Sequence, residues 1–177
     1  PARFQRLIER AGQLVVVATF HMFPPVRSCG EAVRLSPEDA AKAQYEWHKR
    51  RLGESELKAR AEGLKPGSVR ECDPECGERL SCRAGSASFW VTWDGKMSPC
   101  GMMTEPSVPL DDFGEAWREI MRCSREIFLP PQCSGCDKRM LCDVCAAVTK
   151  AESGEFNGLP DYACRKAAEY RRLLLGR

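Results

Sequence analysis

The first third of the chain has a pattern of polar and apolar positions that predicts a helix, a strand and a second helix. Residues 1–13 carry an apolar stripe at helical spacing, and residues 14–19 form a continuous apolar run typical of a buried strand. The second helix is predicted to run from Pro37 to about Leu52, because Ser36 before the proline is a favourable N-cap. One and a half repeats of this α/β kind cannot bury their own faces. We therefore expect the segment to pack against an upstream body or a partner.

A change of composition divides the chain near residue 65. Residues 54–63 are predicted to form a short charged helix or linker, and residues 65–67 (Lys-Pro-Gly) are typical of a turn. After this turn the chain is rich in cysteine, glycine and other turn residues. We therefore predict two domains, residues 1–64 and residues 65–177.

The second part of the chain begins with a predicted β-hairpin. Residues 88–93 are largely aromatic and β-branched, and the Asp94-Gly95 pair that follows them is a strong hairpin signal. Strand alternation would place Phe89 and Trp93 on one face of the hairpin and Trp90 on the other. We expect one of these faces to pack over the cysteines described below and to exclude water from them.

Three helices are predicted after the hairpin. An amphipathic helix at residues 113–123 would be capped by Asp111 or Asp112, and its Phe113, Trp117, Ile120 and Met121 would face a core. The other two helices are predicted at residues 139–151 and 160–175. Helices combined with a local antiparallel hairpin indicate the α+β class.

Composition and charge limit the kinds of partner. The chain of 177 residues has 27 basic and 25 acidic residues, interleaved, so no basic stripe indicates nucleic acid. No apolar run approaches the about 20 residues needed to cross a bilayer, and the start of the chain lacks the apolar core of a signal peptide. Eleven cysteines without a secretory signal favour reduced thiols that bind metal over a disulfide framework. We therefore expect a cytoplasmic, metal-binding protein.

The cysteines form a compact constellation in the second half of the chain. Two CxxC turns, Cys133 to Cys136 and Cys142 to Cys145, are separated by only five residues, whereas zinc ribbons usually separate such turns by about 15–20. From spacing alone, three arrangements stay open: two four-iron clusters, zinc sites, or one cluster with spare thiols. Cys123 ends an amphipathic helix and is expected to be a small core residue.

The spacing of these cysteines resembles that of the SPASM domain, the C-terminal extension of radical SAM enzymes that modify peptides and proteins. Twelve residues separate Cys82 from Gly95, and four more separate that glycine from Cys100. The compact run and a distal Cys164 follow, and Cys76 lies upstream with five residues between it and Cys82. The resemblance covers about residues 72–175, and it matches the family members that carry two auxiliary [4Fe–4S] clusters.

The resemblance implies two sets of four cysteine ligands. Set I, for the first auxiliary cluster, is Cys76, Cys82, Cys100 and Cys145. Set II, for the second, is Cys133, Cys136, Cys142 and Cys164. In this assignment Cys145 crosses over from the compact run and ties the two clusters together. The chain departs from the family in having two residues between Cys142 and Cys145 instead of three, and Cys72 could replace Cys76.

The resemblance also implies a role for residues 1–52, as the end of the family's partial (β/α) barrel. Residues 14–19 would be the final strand and residues 36–52 the final helix. The family holds its catalytic cluster and S-adenosylmethionine with CxxxCxxC, and this chain has only one CxxxC, from Cys72 to Cys76. We therefore do not expect the chain to be catalytic alone. The remainder of the barrel, with S-adenosylmethionine and a third [4Fe–4S] cluster, would be upstream or on another chain.

The expected partners are a peptide or protein substrate and an external electron donor. The auxiliary clusters would act in electron transfer or in ligation of the substrate, as in the family. Two other hypotheses stay open. One is a non-catalytic structural or interaction module with two four-cysteine zinc sites. The other is a free-standing electron carrier similar to a two-cluster ferredoxin.

Overall fold

A computed structural model describes residues 34–63, 72–73, 77–80 and 82–176 of the protein. The described residues combine helices with short antiparallel strands, so the predicted α+β class is confirmed. The helices are α1 (Pro37–Leu52), α2 (Glu54–Gly63), α3 (Phe113–Ser124), α4 (Ala146–Ser153) and α5 (Asp161–Leu175). The strands are β1 (Cys72–Asp73), β2 (Gly77–Glu78), β3 (Trp90–Val91), β4 (Lys96–Ser98) and β5 (Val108–Pro109). The helix predicted at residues 1–13, the strand at 14–19 and the turn at 65–67 lie outside the described residues.

Helix α1 begins and ends where the sequence predicts. Ser36 is the N-cap, and its Oγ accepts a hydrogen bond of 3.0 Å from the backbone N–H of Asp39. The helix ends at Leu52, and Gly53 follows it with a φ of +82°. Both ends depend on local chemistry, which explains why they can be predicted from sequence. The charged segment after Gly53 forms helix α2.

Helices α1 and α5 come from opposite ends of the described chain and share one core. Ala41 and Leu57 pack with Tyr170 and Leu174, and all four are at most 5% exposed. Nδ1 of His48 lies 2.6 Å from the Tyr170 hydroxyl, which adds a polar contact between the two helices. Burial raises the pKa of Tyr170 to about 12. Helix α5 of the cysteine-rich region therefore packs directly on α1. The predicted domain boundary lies outside the described residues.

A three-stranded antiparallel sheet in the order β3–β4–β5 packs on helix α3. Trp90 pairs with Ser98 and Val91 with Met97, so the predicted hairpin around Asp94-Gly95 is confirmed. Strand β5 is an addition that the sequence did not predict. Met97 and Ile120 are fully buried between the sheet and the helix.

Two details of this sheet and helix differ from the prediction. Trp93 lies in the hairpin turn, not in the strand, and is 99% exposed, so it shares no strand face with Phe89. Phe113 is 54% exposed because it is the first residue of α3, although its ring contacts that of Phe89 edge-on at 5.4 Å. The N-cap of α3 is Asp112, which is one of the two residues predicted for this position.

None of the helices described here is long and apolar enough to cross a membrane.

Candidate metal centre

The structure describes the side chains of seven of the eight predicted ligands. Cys133 is buried, Cys82 is exposed, and Cys100, Cys136, Cys142, Cys145 and Cys164 are half-buried. All seven carry free thiols. Cys76 lies outside the described residues, and for Cys72 only the backbone, in strand β1, is described. The choice between these two as the fourth ligand of set I therefore stays a prediction.

The four cysteines of set II are positioned by two tight turns and the start of a helix. Cys133 ends a short 3₁₀ helix, and its carbonyl accepts a hydrogen bond of 3.3 Å from the N–H of Cys136. Cys142 directly follows a second 3₁₀ helix, Arg139–Leu141. Cys164 lies in the first turn of α5, and the Cys142 sulfur is 4.0 Å from the Ala163 carbonyl oxygen beside it. The compact cysteine run is thus folded against the helix that carries the distal cysteine.

The thiols of set II influence one another electrostatically. Burial, and then the neighbouring Cys142 and Cys164 thiols, raise the pKa of Cys133 to about 11. Burial also raises the pKa of Cys142 and of Cys164. After burial, the Cys136 thiol makes the largest contribution to the raised pKa of Cys164. The fold therefore brings all four side chains into one partly desolvated region. Such thiols prefer the protonated state unless a cation binds them.

Basic and acidic side chains both act on the set II thiols. Asp143 raises the pKa of Cys142, and Asp161 raises that of Cys164. Arg139 lowers the pKa of both Cys133 and Cys142, in opposition to burial, and Lys138 does the same for Cys164. Lys138 also forms an ion pair with Asp137 at 2.6 Å. Arg139 and Lys138 thus offset part of the effect that burial and these carboxylates have on the pKa of the thiols.

Two described cysteines of set I pack against a second small core. Cys100 and Cys145 both contact the buried cluster formed by Met103, Ile127, Leu129, Ala146 and Ala147. The Cys100 sulfur accepts a hydrogen bond of 3.4 Å from the N–H of Met102. Cys145 is the N-cap residue of α4, but its side chain makes no capping hydrogen bond.

The loop that carries Cys82 lies beside the residue that precedes Cys100. Gly85 has a φ of +64°, and a Cβ atom built on it would stand 3.3 Å from Pro99 and 2.6 Å from Cβ of Ser124. The N–H of Gly85 donates to the Ser88 carbonyl at 2.8 Å, which closes the loop. This close approach holds the Cys82 loop against the hairpin end that delivers Cys100.

Replacement of Gly85 by alanine is expected to lower the free energy of unfolding by about 2–4 kcal/mol. The added methyl group meets both an unfavourable positive φ and the Ser124 side chain. Gly95→Ala is the matched control, because Gly95 also has a positive φ but nothing within 4 Å, so about 1 kcal/mol is expected. Urea unfolding of both variants measures the difference. Equal losses would show that the Gly85 contact does not constrain the loop.

The helix predicted at residues 139–151 is wrong in its first part. The chain forms a 3₁₀ helix over Arg139–Leu141, and helix α4 begins only at Ala146. Cys142 and Cys145 both have extended backbone, with ψ of 126° and 168°. This non-helical connection contains the buried Val144 and separates Cys142 of set II from Cys145 of set I.

The sequence did not predict the structural role of Gly101, which directly follows Cys100. A Cβ atom on Gly101 would stand 3.0 Å from the Trp90 ring, so the glycine lets this ring cover the segment next to Cys100. The position of Gly101 directly after a cysteine was the available signal. Trp90 is therefore the hairpin aromatic that approaches set I, through the face opposite α3.

No three His, Cys, Asp or Glu side chains among the described residues are arranged to hold one metal ion. A tetrahedral zinc site with Zn–S bonds of 2.3 Å requires sulfurs about 3.8 Å apart. A four-iron cluster holds its four thiolates on four different irons and so fits a wider set. Both kinds of centre stay predictions for the cysteines of set II.

Comparison with known proteins gives no relative: no family model, curated protein or solved structure matches this chain. Function therefore has to be inferred from the spacing of the cysteines and from the geometry described above. Of the two sets, only set II has all four cysteines among the described residues.

Proposed function

We propose that this chain is the auxiliary-cluster region of a radical SAM enzyme that modifies a peptide or protein. In this proposal it holds two [4Fe–4S] clusters in a SPASM domain. The observation that carries the proposal is the position of the compact cysteine run against the helix of the distal cysteine: the Cys142 sulfur is 4.0 Å from the carbonyl oxygen of Ala163, the residue before Cys164. The spacing of the cysteines is the basis of the resemblance, and this contact between the two segments supports it.

The residues of set II would bind the second cluster and shield it. Cys133 is 7% exposed, and the fully buried Pro130 and Pro160 lie just before the two elements that carry the first and last cysteines. Two tight turns present sulfurs from a rigid backbone, which limits the reorganisation needed for binding. A bound cluster would supply one-electron transfer or a site for substrate ligation, at a potential tuned by burial and by hydrogen bonds to sulfur.

The residues of set I would hold the first cluster between the hairpin and the core below α4. Cys100 and Cys145 both pack against one apolar cluster, and the Cys82 loop lies against Pro99. The fourth ligand would be Cys76, or Cys72 in its place. Trp90 would cover the site on the hairpin side, with Gly101 providing the space.

Radical generation itself would take place outside the described residues. The sequence contains no CxxxCxxC, so the third cluster and S-adenosylmethionine would be bound by the remainder of the barrel. Helix α1, in the proposed role of the final barrel helix, packs directly on α5, which begins beside set II. A rigid connection of this kind would fix the distance between an auxiliary cluster and the catalytic half of the enzyme.

Electron paramagnetic resonance tests the proposed function. Protein purified without oxygen should be brown, and dithionite should convert it to a paramagnetic state typical of reduced [4Fe–4S] clusters. A colourless protein without any signal after reduction would contradict the proposal. That result would favour the alternative, a structural or interaction module with zinc in its four-cysteine sites, because zinc is redox-inactive.

A further inference from the structure

Asp143 directly follows Cys142, in the non-helical connection that leads to α4. Its Oδ2 atom accepts two hydrogen bonds, one of 2.8 Å from Nζ of Lys166 in α5 and one of 3.2 Å from Nε2 of Gln44 in α1. Among the described residues, neither Asp143 nor Val144 makes a hydrogen bond from backbone to backbone. The polar contacts that hold Asp143 in place are therefore those of its side chain with two helices.

Both donors depend on this carboxylate. The side chain of Lys166 is only 13% exposed, so without Asp143 a largely buried amine would lose its counter-ion. The Oε1 atom of Gln44 is buried and has no hydrogen-bond partner among the described residues. The reverse orientation of this amide would turn its oxygen toward the carboxylate, so the contact with Asp143 accounts for the orientation that the amide has.

The charge of Asp143 by itself works against metal binding next to it. Besides burial, this carboxylate raises the pKa of Cys142, and a cysteine must lose its proton to bind a metal. A favourable role has to come from the backbone that Asp143 holds. The backbone N–H of the next residue, Val144, lies close enough to the Cys142 sulfur to lower the pKa of this thiol, against the larger effect of burial.

We propose that Asp143 is a positioning residue for the Cys142 sulfur. Held by α1 and α5 at once, it keeps the N–H of Val144 directed at this sulfur. An N–H directed at a ligand sulfur stabilises the thiolate and tunes the centre that the thiolate binds. Helix α1 thereby acts on the segment beside the ligand through Gln44, which lies 99 positions before Asp143. The inference rests on the proposed function for the identity of the bound centre, and on the described residues for the position of the sulfur.

The test is the rate at which iodoacetamide alkylates Cys142 in the whole chain, purified without oxygen and analysed by peptide mass spectrometry. Gln44→Leu changes no charge and removes the unpartnered Oε1 atom, so the midpoint of urea unfolding should not fall. Alkylation of Cys142 should nevertheless become about threefold to tenfold faster, as for the loss of one hydrogen bond that limits local opening. Cys123 of α3 is the internal reference and should react at an unchanged rate.

Lys166→Met is the second variant, and Arg165→Met is its matched control. Arg165 precedes Lys166 in α5 and pairs with Glu38 of α1 at 2.9 Å. Its replacement removes the same charge and weakens the contact between the same two helices, but it leaves the partners of Asp143 intact. Only Lys166→Met should speed the alkylation of Cys142.

The reduction potential gives a readout that a merely structural role would not move. In a chain that holds iron, Gln44→Leu should lower the potential of the set II cluster, because a weaker N–H contact to sulfur favours the oxidised form. The variant changes no charge, so an altered net charge does not account for such a shift.

Three results would overturn the proposal. The first is an unchanged alkylation rate of Cys142 in both Gln44→Leu and Lys166→Met. The second is an equal effect of Arg165→Met, which would assign the change to general packing of α1 on α5. The third is an undiminished effect of Gln44→Leu in a chain that already carries Asp143→Ala, because Gln44 would then act by another route. A chain that holds iron and gives any of these results refutes this proposal alone. A chain without iron whose Cys142 responds as expected refutes only the cluster assignment.

Discussion

Replacement of Cys136 by serine is expected to lower the iron content from about eight atoms per chain to about four. Cys136 is half-buried, belongs to set II and influences the Cys164 thiol electrostatically. Serine has nearly the same size but binds iron poorly, so the substitution removes a ligand without removing volume. Iron and sulfide analysis after anaerobic purification measures the loss.

Cys123→Ser is the matched control for this experiment. Cys123 is also half-buried, but it lies near the end of α3, where its sulfur donates to Glu119 Oε1 at 3.4 Å. This contact with a carboxylate one turn earlier on the same helix favours an ordinary core residue over a ligand. The control should keep all of its iron. Full iron in Cys136→Ser, or an equal loss in the control, would contradict the assignment of set II.

Replacement of Cys145 by alanine is expected to remove the first cluster and to loosen the second. The residue packs on the core beside Cys100, and only Asp143 and Val144 separate it from Cys142 of set II. Without this ligand, residues 143–144 are no longer held at both ends by bound cysteines, so Cys142 is held less firmly. Alanine keeps the apolar contacts of Cys145 with the core. We expect about half of the iron to be lost. A chelator should then remove the remainder faster than it removes set II iron from the wild type.

Cys100→Ala separates the crossing role from simple loss of a ligand. Cys100 belongs to the same set, but it is far in sequence from the compact cysteine run and follows strand β4. Its replacement should remove the first cluster and leave the rate of chelation from set II unchanged. Equal chelation rates in the two variants would show that Cys145 does not couple the clusters.

The local elements of this fold could be predicted because nearby residues determine them. Ser36 and Gly53 set the ends of α1, Asp112 caps α3, and Asp94-Gly95 forms the hairpin turn. These signals act within a few residues and do not depend on the rest of the molecule.

The features that were missed depend on contacts between distant segments. Strand β5 has only two residues, one of them proline, and it exists because Met97 pairs with Val108. The packing of α1 on α5 through Tyr170 likewise has no signal in either helix alone. Helix α4 begins at Ala146, later than predicted, because the extended backbone at Cys142 and Cys145 replaces helical turns there.

The candidate site divides in the same way. Sequence spacing selects the eight cysteines, and the structure adds which of the described ones are close together. Set II is brought into one region, while set I is described for Cys82, Cys100 and Cys145. The contributions of Gly85 and Gly101 could not be foreseen, because they depend on Ser124 and Trp90 from other parts of the chain.

The most direct test of the two-cluster assignment is the content of iron, sulfide and zinc in wild-type protein purified without oxygen. Two [4Fe–4S] clusters predict about eight iron and about eight sulfide per chain, with no stoichiometric zinc. A protein with about two zinc per chain, and neither iron nor sulfide, would contradict the assignment and identify the cysteines as zinc ligands.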